Sequence, residues 1–208
     1  MTLQLDRFYP IVEDAAWVER LVRLGARLIQ LRMKEKSLDE VRTHVRVARL
    51  ACERSGAQLV VNDYWQIAIE EACDFVHLGQ EDLDGADLAA IRRAGIRLGV
   101  STHDYAELER ALSVQPAYIA LGPIYPTRLK KMKWAPQGPF RLVEWKKLIG
   151  TIPLVAIGGL TAERLPEVFS AGADIAAVVT DIVASKDPAA RTREWVAATR
   201  VTATRAAH

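Results

Sequence analysis

Eight short apolar segments alternate with longer amphipathic segments along the 208 residues, and this alternation limits the possible fold more than any other feature. The apolar segments have the length of buried strands, and the segments between them have the three- and four-residue spacing of helices. Strands that are each followed by a helix form a parallel sheet, and eight of them favour a closed barrel over an open doubly wound sheet. We therefore predict an α/β fold, a (β/α)₈ TIM barrel with lean loops, as a single domain over residues 1–208. The predicted strands are 7–12, 28–34, 58–63, 75–79, 97–102, 118–124, 153–159 and 175–182.

Charge and cysteine usage narrow the class of protein. A net charge of +2 gives no reason to expect nucleic acid or an anionic membrane as a partner, whereas a small anionic ligand remains open. No apolar stretch reaches the roughly 18 residues of a membrane span, and the first twenty residues lack a secretory apolar region. Cys52 and Cys73 fall inside predicted helices without metal-ligand spacing, which indicates two reduced thiols. We expect a cytoplasmic protein.

The second predicted strand, LIQLRMK, carries polar residues of one parity. Its apolar residues of the other parity would face the helices, which leaves Gln30, Arg32 and Lys34 on the interior side of a barrel. Cations there would be unfavourable without an anion. The alternative is that Arg32 and Lys34 lie beyond the strand end in solvent.

Two carboxylates follow the third and fourth predicted strands. The active site of such a barrel lies at the carboxyl ends of its strands, so Asp63 and Asp82 would meet near the cations of the second strand. One or two carboxylates beside the oxygens of a diphosphate are a common Mg²⁺ site. Helix capping explains each aspartate separately, but it does not explain why both occur at this edge.

A second anion site is predicted after the seventh and eighth strands, where this fold often binds phosphate through backbone N–H groups. Gly158 and Gly159 allow close approach of a ligand to the backbone, and a helix begins near Thr161. Val179 and Thr180 follow the eighth strand. Two glycines before a helix are a weak motif alone, and they indicate a phosphate site only because they lie at the end of the seventh of eight predicted strands.

The loop after the sixth strand concentrates positive charge within GPIYPTRLKKMKWAPQGPF. A solvated surface is the ordinary explanation of such a run, and a flap over an anionic ligand is the alternative. The sequence leaves the role of Trp134 in this loop open. His77 is interpreted as a hydrogen-bonded core histidine, and His103 as either a ligand contact or a helix cap.

Seven segments together resemble the thiamine phosphate synthase family in order and spacing. They are QLRMKEKS, NDYWQIA, VHLGQEDL, LGVSTH, LGPIYPT followed by KK, VAIGGL and AAVVTDI, and the resemblance covers nearly the whole chain. It implies a transferase that joins hydroxymethylpyrimidine diphosphate to a thiazole phosphate and releases diphosphate, with one Mg²⁺ per subunit. The implied path is dissociative, because diphosphate leaves before the thiazole nitrogen attacks.

The resemblance also assigns roles residue by residue. The pyrimidine diphosphate would be bound by Gln30, Arg32, Lys34, Asn62, Ser101 and Lys130. Of these, Arg32, Lys34, Ser101 and Lys130 would be catalytic, and Asp63 and Asp82 would hold Mg²⁺. The thiazole phosphate would be bound by Thr127, Arg128, Leu129, Gly159, Val179 and Thr180.

Two departures from the family pattern affect the second substrate. Leu129 stands where many members have a threonine, so the resemblance leaves open whether a carboxylated thiazole is preferred. Thr180 replaces the usual serine and keeps the hydroxyl. A thiazole tautomerase of the same family and a non-catalytic sensor of thiamine precursors are the rival interpretations, and relatives suggest a homodimer.

Overall fold

The structure, a computed structural model, describes residues 5–127 and 134–205, with side chains as far as residue 200. Its regular elements alternate as the sequence predicts. The strands are β1 Phe8–Val12, β2 Leu28–Leu31, β3 Gln58–Asn62, β4 Phe75–Leu78, β5 Arg97–Thr102, β6 Tyr118–Leu121, β7 Leu154–Ala156 and β8 Ile175–Val178. The helices are α1 Ala15–Arg23, α2 Leu38–Ser55, α3 Trp65–Glu70, α4 Gln80–Gly85, α5 Leu88–Arg93, α6 Tyr105–Ser113, α7 Gly138–Ile149, α8 Leu165–Ser170, α9 Thr180–Val183 and α10 Pro188–Arg205.

In the described part of the chain, eight strands close into a parallel barrel in chain order, β1 pairing with both β2 and β8. The prediction of a (β/α)₈ barrel is confirmed. Six of the eight predicted strands extend too far at their carboxyl ends, because apolar residues such as Ile124 and Ile182 continue past the strands, whereas β1 and β5 end where predicted. The fourth strand ends at Leu78, and the seventh ends at Ala156.

Local sequence sets the helix ends. The α2 helix begins after Ser37, whose hydroxyl accepts from Glu40 N while the Glu40 carboxylate accepts from Ser37 N. Gly56 ends it in the left-handed conformation, with φ +66°. A capping box at the start and a left-handed glycine at the end satisfy backbone groups that the helix leaves unpaired.

The core has two layers. Ile29, Leu31 and Met33 are buried between the barrel and the helices, whereas Leu28 lies in the barrel interior with apolar residues of other strands. Gln30 is buried and bonds to interior Tyr9, which confirms the parity predicted for the second strand. Side-chain alternation along a strand produces this division.

The prediction that Cys73 falls inside a helix is wrong. The residue lies in the connection between α3 and β4 and not inside a helix, because α3 ends at Glu70. Cys52 and Cys73 are both buried free thiols, and burial raises the pKa of each to about 12. None of the helices in the described part of the chain is long and apolar enough to cross a membrane.

Candidate active site

The carboxyl ends of β2 and β3 bring cations next to a carboxylate. Arg32 directly follows β2, and its backbone N donates to Val12 O over 2.8 Å. Lys34 is largely exposed, and its Nζ lies 3.8 Å from Asp63 Oδ2. The alternative, that Lys34 lies beyond the strand end in solvent, is thus partly correct. Its ammonium group is nevertheless close to the Asp63 carboxylate. At this range an exposed pair contributes little stability.

Asp63 and Asp82 form a pair of interacting carboxyl groups. The pKa of Asp63 is raised to about 6: burial, the charge of Asp82 and a hydrogen bond between the two carboxyl groups raise it, and Lys34 and Arg32 offset part of the increase. Asp63 also has a left-handed backbone, with φ +66°, which is uncommon outside glycine. A residue held this way at a strand end, with its charge disfavoured, is a candidate functional group.

Helix capping accounts for only one of these aspartates. Tyr64 occupies the cap position of α3 without a side-chain hydrogen bond, so the Asp63 carboxylate does not cap that helix. Asp82 lies in the first turn of α4, where its Oδ2 accepts from Gly79 N over 3.2 Å. The cap holds the Asp82 carboxylate at the start of α4.

Asn62, at the end of β3, is buried with one donor unused. It is only 4% exposed, and among the described residues its Nδ2 has no hydrogen-bond partner. A buried unpaired donor costs free energy, roughly 1–3 kcal/mol, unless a ligand accepts from it. Asn62 pairs with His77 of β4 at this end of the barrel.

Gln30 and Ser101 lie at the two ends of a hydrogen-bonded chain through the barrel interior. Gln30 Nε2 donates to Tyr9 Oη over 3.0 Å, and the hydroxyls of Tyr9 and Tyr118 lie 2.8 Å apart. His77 Nδ1 lies 2.7 Å from Tyr118 Oη, and His77 Nε2 lies 2.8 Å from Ser101 Oγ. His77 is thus a hydrogen-bonded interior histidine, as predicted, and burial lowers its pKa to about 4.

The loops after β6 and β7 are in close backbone contact. Gly158 and Gly159 have φ of +100° and +65°. A Cβ on Gly159 would lie 2.5 Å from Pro126 O, and one on Gly158 would lie 2.7 Å from Pro123 Cα. Only glycine combines these dihedrals with this approach. Arg164 donates to Gly159 O and lies over the Tyr125 ring, which fixes the loop further.

Val179 and Thr180 follow β8, and a cluster of ion pairs holds the short helix that begins there. Asp181 accepts from Arg191 Nε over 2.8 Å and from Trp195 Nε1 over 2.7 Å. Arg191 also donates to both carboxylate oxygens of Glu163, each over 2.9 Å, so it joins the segments after β7 and β8.

Some predicted site residues lie outside the described part of the chain. Arg128, Leu129 and Lys130 belong to residues 128–133, about which the structure makes no statement. Thr127, in the loop after β6, is the last described residue before this gap. The remaining predicted residues lie in the last two positions of a strand or in the segment that follows it: Gln30, Arg32, Lys34, Asn62, Asp63, Asp82, Ser101, Gly159, Val179 and Thr180.

His103 packs beside the basic loop and does not cap α6. Asp104 caps that helix by accepting from Glu107 N over 2.8 Å. His103 Nδ1 lies 2.7 Å from Glu107 Oε2, and its ring stacks on Trp134 with centroids 5.7 Å apart and planes at 7°. Trp134 therefore joins the far end of the basic loop to the end of β5.

Sequence reasoning missed several residues that build this site. Tyr9 and Tyr118 lie inside the predicted strands 7–12 and 118–124, and a side-chain hydroxyl within an otherwise apolar strand was the signal that could have identified them. Arg191 is far from the site in sequence, and no local pattern marks it.

The metal site predicted from the sequence consists of two carboxylates. Within residues 5–127 and 134–205, no group of three or more His, Cys, Asp or Glu side chains could hold a metal ion. Two carboxylates such as Asp63 and Asp82 are typical of sites in which a hard cation completes its coordination with substrate oxygens and water.

Comparisons with known proteins show the family of this chain. Residues 8–182 match the family described as thiamine monophosphate synthase. The thiamine-phosphate synthase of Rhizobium etli is 60% identical over 197 residues, covering 95% of this chain and 97% of the relative. That of Cronobacter sakazakii is 49% identical, covering 86% of this chain and 85% of the relative.

A solved structure supports the fold. Thiamine phosphate pyrophosphorylase from Pyrococcus furiosus superposes with a TM-score of 0.83 at 24% identity, covering 94% of this chain and 96% of that one. At that identity the likeness concerns the fold, whereas the sequence matches concern the family. The chain therefore belongs to the thiamine monophosphate synthase family and is an enzyme of the transferase class.

Proposed function

We propose that the protein is a Mg²⁺-dependent thiamine-phosphate synthase that condenses 4-amino-2-methyl-5-hydroxymethylpyrimidine diphosphate with a thiazole ethyl phosphate. The products are thiamine phosphate and diphosphate. The observation that carries the proposal is the meeting of Asp63 and Asp82 at one rim, with Lys34 Nζ 3.8 Å from Asp63 and the charge of Arg32 nearby. Family membership supports the reaction class.

The carboxylate pair fits Mg²⁺ by its chemistry. Burial and the neighbouring Asp82 disfavour the charge of Asp63 in the protein alone, and a divalent cation would reverse that balance. Asp63 and Asp82 would hold the ion, and the diphosphate oxygens would complete its coordination. When bound, Mg²⁺ supplies positive charge for the leaving diphosphate.

The chain's own residues position the diphosphate and stabilise its charge. Arg32 and Lys34 offer cationic donors at the end of β2, and Lys130 is proposed to add a third from the basic loop. The unused Nδ2 of Asn62 supports a ligand acceptor at the end of β3. Donors fixed in advance where charge develops lower the barrier without reorganising during the reaction.

In the proposed path the bond between the pyrimidine methylene carbon and the diphosphate oxygen breaks first. Its electron pair leaves with the diphosphate, and the thiazole nitrogen then uses its lone pair to form the new C–N bond. No proton is removed from that nitrogen, so the path requires no general base there. The contribution of the protein is positioning together with charge stabilisation.

The second substrate is proposed to bind at the loops after β6, β7 and β8. Packing of Gly159 against Pro126 fixes the loop after β7, and the backbone N–H groups of that loop are proposed to donate to the phosphate. Thr127 and Thr180 would supply hydroxyls, Val179 would line the site, and Arg128 and Leu129 would contact the thiazole from the basic loop.

The test is a coupled assay of both products. We would incubate the protein with the pyrimidine diphosphate and either the thiazole phosphate or its carboxylated form, with Mg²⁺ or with a chelator. The proposal expects diphosphate and thiamine phosphate in equal amounts, only with Mg²⁺. Isomerisation of the carboxylated thiazole phosphate without diphosphate release would identify a tautomerase, and binding without any product would identify a sensor.

Matched variants sharpen the test. Asp82→Gln should abolish Mg²⁺-dependent turnover, and Glu81→Gln, an adjacent exposed carboxylate in the same helical turn, should not change it. Lys130→Ala should lower the turnover by roughly 10²-fold, since a lost charge-stabilising donor has an effect of that size. An Asp82→Gln enzyme with full Mg²⁺-dependent turnover would contradict the metal assignment.

A further inference from the structure

The hydrogen-bonded chain from Gln30 to Ser101 has a direction, which follows from counting hydrogens. The Gln30 amide nitrogen can only donate, so Tyr9 Oη accepts from it and must give its own hydrogen to Tyr118 Oη. Tyr118 then directs its hydrogen to His77 Nδ1, which lies 2.7 Å from its hydroxyl oxygen. In the opposite direction a buried tyrosine hydrogen would have no acceptor along the chain.

This direction defines the hydrogen positions on His77 and Ser101. Because Nδ1 accepts from Tyr118, the neutral imidazole carries its hydrogen on Nε2 and donates it to Ser101 Oγ. Ser101 Oγ therefore receives a hydrogen from the protein. The hydroxyl hydrogen of Ser101 then points away from His77, which lies inside the barrel, and toward the rim.

Packing holds the two rings of this chain in place. The rings of Tyr118 and His77 stack with centroids 5.6 Å apart and planes at 16°. Gly99 provides the space for the Tyr118 ring, since a Cβ there would lie 2.5 Å from Cε1 and Cε2 and closer still to Cζ. Gly99 pairs with Tyr118 on one side and with His77 on the other, so all three residues lie at one level of the barrel.

We propose that Tyr9 and Tyr118 are positioning residues that hold His77 as the Nε2–H tautomer and thereby make Ser101 a hydrogen-bond donor to the pyrimidine diphosphate. The proposal rests on the proposed function for the identity of the ligand, but the tautomer does not depend on it. The ligand atom at Ser101 must then be an acceptor. A ligand carrying an N–H or O–H at that position would meet another donor and bind more weakly.

The first measurement is the ¹⁵N spectrum of the His77 ring in the ligand-free wild-type protein at neutral pH, assigned by its loss in His77→Gln. The expected spectrum has one protonated nitrogen, Nε2, and one unprotonated nitrogen, Nδ1. In Tyr118→Phe the donor to Nδ1 is absent, so the two neutral tautomers should become comparably populated. A wild-type ring that is protonated on Nδ1, or on both nitrogens, would overturn the proposal whether or not the variants fold.

Steady-state kinetics provide the second measurement. Tyr118→Phe should raise KM for the pyrimidine diphosphate about tenfold, the equivalent of one hydrogen bond, and leave KM for the thiazole phosphate within about twofold. Tyr9→Phe should have a smaller effect, because Tyr118 can still donate to His77. Tyr105→Phe is the matched control, since its hydroxyl bonds to Glu144 on the outer surface and should leave both KM values unchanged.

The two proposals fail separately. The expected His77 tautomer in a protein that forms no thiamine phosphate would support the positioning chain and contradict the proposed function. Thiamine phosphate formation by a protein whose His77 carries its hydrogen on Nδ1 would support the proposed function and contradict the positioning chain. Equal rises of both KM values in folded Tyr118→Phe would indicate a general structural role and overturn the positioning role.

Discussion

The rim of the barrel is built in two different ways. After β2, β3 and β4, the polar groups are side chains with unused capacity: Lys34 is exposed, Asn62 Nδ2 has no described partner, and the charge of Asp63 is disfavoured. After β7 and β8, the backbone is held by the protein itself through Gly159 and Arg191. The first half offers side chains to ligand atoms, whereas the second half offers backbone whose geometry the protein itself maintains.

The two halves of the rim differ in how they affect the free energy of the unliganded protein. Side chains that the protein leaves unsatisfied raise the free energy of the unliganded state, and a bound cation and anion would relieve it. A backbone site fixed by ion pairs needs no such relief, because its geometry is maintained without ligand. Substitutions in the first half should therefore separate activity from stability, and substitutions in the second half should change both.

Asp63→Asn should produce the largest effect on activity. We expect turnover to fall by at least about 10²-fold, whereas the free energy of unfolding should stay the same or rise by about 1 kcal/mol because a buried charge beside Asp82 is removed. Asparagine also tolerates the left-handed backbone at this position. Urea unfolding without Mg²⁺ and the product assay measure the two quantities. A clear loss of stability would contradict the division of the rim into two halves.

Gly159→Ala should lower both quantities. The left-handed φ alone costs about 1 kcal/mol, and the close contact with Pro126 O raises the expected loss of unfolding free energy to about 2–4 kcal/mol. Gly95→Ala is the matched control, because φ there is +72° and nothing lies within 4 Å of the added Cβ. It should lose about 1 kcal/mol and keep full activity. Equal losses of unfolding free energy in the two variants would contradict a contribution from the contact between residue 159 and Pro126 O.

Arg191→Lys should have a moderate effect. Lysine keeps the charge but cannot bond Asp181 and Glu163 through a planar fork, so we expect a loss of about 1–2 kcal/mol in unfolding free energy. KM for the thiazole phosphate should rise several-fold, and KM for the pyrimidine diphosphate should not. Arg193→Lys, an exposed change in the same helix, is the control. An increase in both KM values would show that the cluster does not act on one half alone.

Low pH should slightly lower the free energy of unfolding through Glu163, in the second half of the rim. Hydrogen bonds from Arg191 are the largest cause that lowers the pKa of Glu163, to about 2. Because the folded pKa lies below the ordinary value of 4.5, the stabilisation is present above pH 4.5 and is lost as the pH falls from there toward 2. The carboxylate is largely exposed, so solvent screening keeps the effect small. Glu163→Gln should flatten this part of the stability profile, and an unchanged slope would contradict the assignment.

The sequence predicted the regular part of the site because that part follows from periodicity. Alternation in β2 placed Gln30 inside the barrel, and the strand count brought Asp63 and Asp82 to one rim. Helix capping could not be separated from a ligand role in the sequence. Only the tertiary structure shows that Asp82 accepts a backbone hydrogen bond from Gly79 and that Asp63 does not cap α3.

By itself, therefore, the sequence determined the barrel, the order of its strands and the rim at which polar residues gather, since each depends on spacing along the chain. The tertiary structure decided which groups share hydrogen bonds across it. Tyr9 and Tyr118 are 109 residues apart and meet only when β1 and β6 enclose the same interior. Arg191 and Glu163 are 28 residues apart and meet because α10 packs beside the segment after β7. Both contacts depend on the packing of elements that are distant in the chain, and no local pattern encodes them.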